Sequence, residues 1–182
     1  MRSARILGHY DIRAPDLTDA AELAAAYDRN RDHLGPYEPR RSARFYTEAA
    51  QREALSMAID EAHQGRSAGW LIHEQERIVG RVNLNTIVRG AAHCAHLGYW
   101  IDREHTGRGL ATAAVDHACA AAVDLGLHRI EAGTLLDNAA SQAVLRNCGF
   151  EHIGRAPTYL FIDGAWRDHE LFQRILHDRP PH

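Results

Sequence analysis

Three apolar strand patterns follow one another in the middle of the chain, separated by spacers too short to contain a helix. They are residues 68–74 (AGWLIHE), 77–88 (RIVGRVNLNTIV) and 95–102 (AHLGYWID). The spacer QE between the first two predicts a β-hairpin, and RGAAH between the next two predicts another. Because parallel neighbours would need a crossover of about a dozen residues, the three strands form an antiparallel meander.

The segments on either side of the meander alternate between helix and strand patterns. Residues 34–41 (LGPYEPRR) contain two prolines and a glycine, which break a helix. A helix from about Thr47 to His63 ends at Gly65, a residue type that commonly terminates helices. This order predicts an α+β fold with a mixed, twisted central sheet of about seven strands flanked by helices, in one domain of residues 1–182. The other predicted elements are a strand at 5–13, a helix over 17–34 capped by Asp16 or Thr18, helices at 107–125 and 139–147, and strands at 128–135, 150–156 and 166–176.

Composition excludes several kinds of chemistry. All 21 side chains of the Lys and Arg class are arginine, so the chain contains no lysine. A Walker A phosphate loop requires a lysine, and pyridoxal enzymes and Schiff-base aldolases require a lysine amine. None of these mechanisms is available to this chain.

Composition also bears on the cellular compartment and on nucleic-acid and membrane partners. The net charge of −3 gives no basic excess for nucleic acid, and the small cluster of Arg40, Arg41 and Arg44 is interpreted as a solvated approach to a helix, with a phosphate contact as the alternative. No stretch approaches the roughly 20 apolar residues that cross a bilayer, and no apolar run near the N-terminus could serve as a secretion signal. The three widely spaced cysteines form no C-x-x-C pair, which argues against a disulfide framework and a thiolate zinc site. We therefore expect a cytoplasmic protein without a membrane or nucleic-acid partner.

A turn with two closely spaced glycines follows the third strand of the meander. The strand ends near Asp102, the helix begins near Gly107, and Gly109 lies two residues further on. Such a turn presents unpaired N–H groups at the positive end of a helix dipole, which favours an anion. The alternatives are a tight turn that serves only packing, and a Rossmann dinucleotide loop. The Rossmann alternative is disfavoured because its third glycine position is Thr112 and because the turn follows an antiparallel meander.

A second polar pair begins the next helix. Asn138 follows a strand and can cap the helix, and Ser141 lies at i+3, so both side chains can face one groove at the end of the strand. The alternative is a helix cap followed by a solvated serine.

Together these segments resemble the GNAT acetyltransferase superfamily, specifically its RimJ/RimL branch. The match is closest to the members that acetylate the N-terminal alanine of a small-subunit ribosomal protein. The superfamily usually has Gln or Arg three residues before the first glycine of the loop, where this chain has Glu104, so no phosphate contact is assigned to Glu104 or Arg103. The matching segments, spread over residues 20–170, are Asn30-Arg-x-His-Leu-x-Pro-Tyr-Glu-Pro39, Asn83, Val88-Arg89-Gly90, Leu97-Gly98-Tyr99, the glycine turn, Asn138-x-x-Ser141-x-x-x-Leu145-x-x-x-Gly149-Phe150, and Ile162-Asp-Gly-x-Trp-Arg-Asp-His169.

The resemblance implies a V-shaped cleft for acetyl-CoA between the strand ending at Asp102 and the strand beginning near His128. Backbone groups of Trp100 and Ile101 would bind the pantetheine and polarise the thioester carbonyl, and Asn138 would bind the pantetheine arm. For Arg146 the resemblance leaves a contact with the outer phosphate of the coenzyme and a surface role equally open. The backbone amides implied to hold the pyrophosphate are those of Thr106, Gly107, Arg108, Gly109, Leu110 and Ala111.

The resemblance also implies direct attack of an amine on the thioester. Ser141 would serve the departing thiolate, with Tyr159 as the alternative. Glu38 is the candidate base, although pairing with Arg40 or Arg41 is an equally good interpretation of this carboxylate. The residues expected to contact the acceptor are Glu38, Asn83, His93 and Tyr99.

No metal site is expected, although His93, Cys94 and His96 lie close in sequence. Residues i and i+3 of a strand point to opposite faces, so the two imidazoles do not converge. The acceptor is expected to be the N-terminal amine of a protein. The alternatives are a small amine, such as an antibiotic, a polyamine or an aminoacyl nucleotide, and a coenzyme A-binding module without catalysis. A homodimer is common in this branch, and the last hairpin with Trp166 could supply an exposed patch for it.

Overall fold

The central element of the computed structural model, which describes residues 3–180, is a mixed sheet with helices on both faces. Its spatial order is β1-β2-β3-β4-β5-β6-β8-β7, and every neighbouring pair is antiparallel except β5 and β6. The strands in the described residues are β1 (Ala4–Ile6), β2 (Tyr10–Arg13), β3 (Ala68–Glu74), β4 (Arg77–Val88), β5 (Cys94–Ile101), β6 (Arg129–Leu135), β7 (Glu151–Ile162) and β8 (Ala165–Ile175).

Two of the α-helices begin at a side-chain cap. The side chain of Thr47 accepts a hydrogen bond from the N–H of Ala50, and that of Asn138 accepts one from the N–H of Ser141, so each occupies an N-cap. Short 3-10 turns lie at Leu17–Asp19, Gly35–Tyr37, Ala43–Tyr46 and Arg103–His105. The α-helices are α1 (Ala20–Arg29), α2 (Arg31–Leu34), α3 (Glu48–His63), α4 (Leu110–Asp124) and α5 (Ala139–Asn147).

The alternation of side chains along the strands divides the core into two layers. On β5, Ala95 and Leu97 pack in the cluster that contains α4 and part of α5, whereas Trp100 packs in the cluster that contains α1 and Leu55 of α3. We call these the α4 face and the α1 face of the sheet. A functional group on β5 therefore faces one layer or the other according to whether its number is odd or even.

The two parallel strands at the centre of the sheet separate after three residue pairs. Cys94, Ala95 and His96 pair with residues 129–131, and beyond His96 the two strands have no paired residues. β5 continues to Ile101 in register with β4, while β6 continues to Leu135 in register with β8. The sheet consequently opens into a V whose inner edges carry unpaired backbone groups.

Most element boundaries agree with the sequence prediction, and the differences have local causes. The predicted strand 5–13 is two strands, because Leu7 and Gly8 have positive φ angles of 49° and 81° and form a hairpin turn. Helix α4 begins at Leu110 rather than near Gly107 because Gly107 and Gly109 are left-handed. The predicted helix over 17–34 is interrupted at Asn30, and the described sheet has eight strands rather than about seven.

Candidate active site

A cleft of about 500 Å³ occupies the opening between β5 and the start of α5. Its walls come from the end of β5, the N-terminus of α4, the first turns of α5, and residues 33–38. The residues that line it are His33, Leu34, Tyr37, Glu38, Tyr99, Trp100, Ile101, His105, Thr106, Gly107, Gly109, Leu110, Ala111, Thr112, Asn138, Ala140, Ser141, Val144 and Asn147.

The turn before α4 forms one wall as a row of free donors. Gly107 and Gly109 have φ angles of 74° and 77°, a conformation that favours glycine, and a Cβ on either would point into open space. Ala113 is the first residue of the helix whose N–H bonds back to a carbonyl, that of Gly109. The preceding N–H groups have no intrahelical acceptor and lie at the positive end of the helix dipole, so this wall suits a pyrophosphate.

A buried carboxylate holds this turn against the first helix. Asp102 is 1% exposed and accepts hydrogen bonds from Arg29 Nε at 2.8 Å, from Asn30 Nδ2 at 3.1 Å and from the N–H of Glu104 at 3.0 Å. Burial by itself would raise the pKa of Asp102, but these hydrogen bonds outweigh it and hold the pKa well below its usual range. The end of β5 and the turn that follows it are therefore fixed by charge.

The opposite wall carries two hydroxyl groups in contact. Ser141 lies on the first turn of α5, and its Oγ is 2.8 Å from Tyr99 Oη; Tyr99 Oη also lies 3.3 Å from the carbonyl oxygen of Ser141. Burial raises the pKa of Tyr99 to about 12, so its phenol keeps its proton at neutral pH. Tyr99 is expected from the sequence among the acceptor-binding residues; it lines the cleft, and its hydroxyl contacts Ser141 on the α4 face.

Glu38 faces the same cleft from the loop before α3. Its carboxylate is 3.5 Å from Arg41 Nε, so the ion pair expected as an alternative is present, and Glu38 lines the cleft as well. Burial raises the pKa of Glu38, and the nearby charges of Arg41 and Arg81 oppose that rise. The backbone carbonyl of Glu38 accepts a hydrogen bond of 3.1 Å from the N–H of Asp163, which ties this loop to the turn between β7 and β8.

A glycine lies on the α1 face of each arm of the V. Gly98 is two residues beyond His96 on β5, and Gly133 is two residues beyond Glu131 on β6, just past the point where pairing stops. A Cβ on Gly98 would meet only Asn85 Nδ2, at 3.6 Å, whereas a Cβ on Gly133 would be in ordinary contact with side chains of β7 and β8 at 3.5–3.7 Å. Glycine within a strand often marks the close approach of a ligand or of another backbone.

Asn83 shares this face of the sheet. It pairs with Gly98 in the register of β4 and β5, and its Oδ1 accepts a hydrogen bond of 2.8 Å from Arg81 Nε. Arg81 in turn lowers the pKa of Glu38. Asn83 is not among the residues that line the cleft; together with Arg81 it lines a separate cavity against α3.

Four further predicted residues lie away from the cleft lining, in addition to Asn83. His93 precedes β5 at the far end of the strand, where its Nδ1 is 2.8 Å from the carbonyl oxygen of Gly90. Arg146 lies on α5 over the ring of Phe172, at 5.6 Å, while Ser141 and Val144 of the same helix face the cleft. Arg108 is exposed between the two glycines, and the Tyr159 ring lies 5.5 Å from that of His169.

The basic cluster is paired with carboxylates. Arg40 contacts Asp163 at 3.0 Å, and Arg44 contacts Glu53 at 2.7 Å, in addition to the pair of Arg41 with Glu38. Within residues 3–180, no group of three or more His, Cys, Asp or Glu side chains is arranged to hold a metal ion, and the three cysteines are free and buried. None of the helices in this part of the chain has the length and apolar character needed to cross a membrane.

Sequence reasoning missed several polar residues of the cleft, three of which show why. Asn147 lies on the face of α5 that also carries Ala140 and Val144, a spacing of i, i+4 and i+7 that could have identified it. His33 belongs to the segment that matches the RimJ/RimL branch, but only the bend at Asn30 turns it toward the cleft. His105, 4% exposed, lies 3.2 Å from Glu74 through Nε2, a contact between distant segments that no local pattern indicates.

A central sheet that opens between two parallel strands onto the free N-terminus of a helix is the arrangement that the resemblance implies for an acyltransferase using coenzyme A. The family model described as the acetyltransferase (GNAT) domain matches residues 10–151. The ribosomal protein uS5-alanine N-acetyltransferase of Escherichia coli (strain K12) is 37% identical over 171 residues, which are 90% of this chain and 86% of that relative.

Two solved structures agree with this result. The ribosomal-protein-S5-alanine acetyltransferase from Vibrio fischeri has a TM-score of 0.94 at 33% identity, with 100% of both chains covered. The Mycobacterium smegmatis RimJ in complex with CoA-disulfide has a TM-score of 0.86 at 32% identity, with 91% of this chain and 81% of that chain covered. The chain belongs to the GNAT family of acetyltransferases. It is an N-acetyltransferase of the RimJ/RimL type whose acyl donor is acetyl-CoA.

Proposed function

We propose that this enzyme acetylates the N-terminal α-amine of a protein, with a ribosomal protein as the substrate class. The observation that carries the proposal is the open cleft that Glu38 lines from its loop, together with the α1 face of β5 at Gly98, where a Cβ would meet only Asn85 Nδ2 and a backbone can approach the strand. The names of the relatives in Escherichia coli and Vibrio fischeri support the same acceptor. We propose further that residues 1–182 act as one domain, and that the reaction takes place in the cytoplasm.

The chain's own groups fit coenzyme A along the cleft. The N–H groups from Thr106 to Ala111 would hold the pyrophosphate, because Gly107 and Gly109 have no Cβ to keep it from the backbone. The N–H of Thr106 also donates to the carbonyl of Arg103 at 3.4 Å. The unpaired edge of β5 at Trp100 and Ile101 would bind the pantetheine and donate to the thioester carbonyl. Asn138 caps α5 with its Oδ1, so its Nδ2 remains available to the pantetheine arm.

Acetyl-CoA supplies an activated thioester, and the amine attacks it directly. The nitrogen forms a bond to the carbonyl carbon, the carbon–sulfur bond breaks, and its electron pair leaves on sulfur. The amine loses one proton, and coenzyme A leaves as a thiol once the sulfur has gained one, so the balance is closed. Ser141, on the wall opposite Glu38, would donate a hydrogen bond to the departing sulfur.

An α-amine acceptor is easier to deprotonate than a lysine side chain, so a weak base is sufficient. A protein α-amine has a pKa of about 7.7–8.0, against about 10.4 for a lysine side chain, and a difference of ~2.5 units corresponds to ~3.4 kcal/mol. A single carboxylate at the mouth of the acceptor side is then sufficient. Glu38 meets this requirement, because burial raises its pKa toward that of the amine and so improves it as a base.

Release of coenzyme A thiol from acetyl-CoA, measured against a matched panel of acceptors, tests the proposal. The panel contains short peptides with N-terminal Ala, Ser or Met, the same peptides blocked at the N-terminus but carrying a lysine, spermidine and an aminoglycoside. We expect turnover with free Ala or Ser peptides and its loss on blocking. Turnover with the small amines alone would overturn the protein substrate and leave the acetyltransferase activity intact.

A further inference from the structure

We propose that Tyr99 is the positioning residue for Ser141: its phenol donates a hydrogen bond to Ser141 Oγ and thereby directs the serine's own proton toward the leaving sulfur. The proposal rests on the role given to Ser141 in the proposed function. It deepens that role by naming the group that makes the serine a donor.

The geometry allows two hydrogen-bond patterns, and only one leaves a proton for the substrate. With Oγ and Oη 2.8 Å apart, either hydroxyl can donate to the other. If Ser141 donates, Tyr99 turns its own proton to the carbonyl oxygen of Ser141 at 3.3 Å, and no hydroxyl proton faces the cleft. If Tyr99 donates, the proton of Ser141 is free. The negative charge that develops on sulfur favours the second pattern, because a hydrogen bond from Ser141 to a charged acceptor is stronger than one to a neutral acceptor.

The surroundings keep Tyr99 in place for this task. Tyr99 extends from β5 on the α4 face, against the main hydrophobic cluster, and Val144 of α5 packs there as well. The N–H of Ser141 is bound to Asn138 Oδ1 at 3.0 Å, so the serine is fixed at its backbone and at its hydroxyl. Ser141 also lies in the first turn of α5, where the helix dipole favours negative charge.

The pair donates hydrogen bonds and does not give up a proton. The pKa of Tyr99 is raised to about 12, whereas an ordinary thiol has a pKa of about 8.5. Both hydroxyls therefore stay protonated when the thiolate forms. The hydrogen bonds from Tyr99 to Ser141 and from Ser141 to the sulfur stabilise the thiolate, which then takes its proton from solvent. The electron pair of the broken carbon–sulfur bond stays on sulfur throughout this step.

The experiment is a double-mutant cycle with Tyr99→Phe and Ser141→Ala, using thiol release at saturating acceptor. We expect Tyr99→Phe to lower kcat about 3- to 10-fold, the range that corresponds to one neutral hydrogen bond, with the KM for acetyl-CoA unchanged. In the Ser141→Ala background the same change has almost no further effect. Tyr46→Phe is the matched control and keeps the wild-type kcat, because it removes only a phenol hydroxyl from a ring that stacks against the Arg31 guanidinium at 3.8 Å.

A second readout separates hydrogen bonding to the sulfur from a structural role. The selenoester analogue of acetyl-CoA has a less basic leaving atom, so it needs less stabilisation. We expect the defect of Tyr99→Phe to shrink with the selenoester. An equal defect with both donors, or an undiminished effect of Tyr99→Phe in the Ser141→Ala background, would overturn the proposal.

The outcome is independent of the acceptor's identity. The cycle uses whichever amine the wild-type enzyme acetylates best in the panel, so failure of the peptide substrate does not affect it. If Ser141→Ala keeps the wild-type kcat, the role of Ser141 itself fails, and the inference about Tyr99 fails with it.

Discussion

Asn30 and Asp102 are 72 residues apart in the chain, and Asn30 Nδ2 donates a hydrogen bond of 3.1 Å to Asp102 Oδ2. The Oδ1 of the same asparagine accepts the N–H of Arg103 at 2.9 Å. One amide at the end of α1 thus binds both Asp102, the residue that follows β5, and Arg103, the first residue of the 3-10 turn. The position of the turn that faces the coenzyme depends on this contact.

Asp102→Asn should therefore lower both stability and coenzyme binding. The substitution removes the charge that partners the Arg29 guanidinium, and we expect the free energy of unfolding to fall by about 3 kcal/mol, with a higher KM for acetyl-CoA. Asp11→Asn, in the exposed pair with Arg5, is the control and should change stability by less than about 1 kcal/mol. Denaturant titration and initial-rate kinetics measure both quantities.

The stability difference between the wild type and Asp102→Asn should depend on pH in one direction. The pKa of Asp102 is lower in the folded protein than the unfolded value of about 3.9. Its contribution is fully present above that unfolded pKa and is lost as pH falls through the lower folded pKa. Urea titrations should give a constant difference from about pH 5 to 8 and a shrinking difference below about pH 4. A difference that grows on acidification would contradict the assignment.

Gly109→Ala should weaken acetyl-CoA binding beyond its cost in stability. Its φ of 77° disfavours any Cβ by about 1–2 kcal/mol, and the added methyl group would stand where a pyrophosphate approaches. Gly65 after α3 has a similar φ of 70° and equally open surroundings, so Gly65→Ala is the matched control. Both variants should lose similar stability in thermal unfolding, and only Gly109→Ala should raise the KM for acetyl-CoA.

Gly98→Ala should affect binding of the acceptor peptide without affecting binding of acetyl-CoA. The new Cβ meets only Asn85 Nδ2 at an ordinary 3.6 Å, so the fold tolerates it and the unfolded chain loses entropy, a gain of about 0.4–1 kcal/mol. We nevertheless expect a higher KM for the peptide and an unchanged KM for acetyl-CoA. An unchanged peptide KM would show that the acceptor does not pass over this strand.

Glu38→Gln should remove the base and change the pH dependence of the rate. We expect kcat to fall and the remaining rate to rise with pH in parallel with deprotonation of the free amine. Arg41→Gln should act in the other direction, because Arg41 opposes the burial that raises the pKa of Glu38, so its loss raises that pKa further and moves the acid limb of kcat to higher pH. Stopped assays across the pH range distinguish the two variants.

Local patterns predicted the parts of the fold that depend on neighbouring residues. The strands 68–74 and 77–88, the helix 139–147 and the cap at Asn138 agree with the structure, because alternation, short spacers and capping act over a few residues. The predicted strand 5–13 is two strands because a left-handed Leu7 breaks it, and a non-glycine residue in that conformation gives little warning in a sequence.

The contacts that make the site depend on distant pairs and could not be predicted from one sequence. Tyr99 and Ser141 are 42 residues apart, and only the separation of β5 from β6 brings α5 against the end of β5. Arg146 has the right charge and helix for a phosphate contact, but its guanidinium lies over the ring of Phe172. Residue type and family resemblance predicted which segments form the cleft. Whether a given side chain of those segments faces the cleft depends on how the sheet and helices pack.

The most direct test of the account is to locate the acetyl group on a peptide that offers both kinds of amine. A peptide with a free N-terminal alanine and an internal lysine is incubated with enzyme and acetyl-CoA, and tandem mass spectrometry assigns the modified nitrogen. The account predicts acetylation of the α-amine, reduced in parallel by Ser141→Ala and Glu38→Gln. Acetylation confined to the lysine ε-amine, or no acetylation of the peptide while spermidine is acetylated, would contradict it.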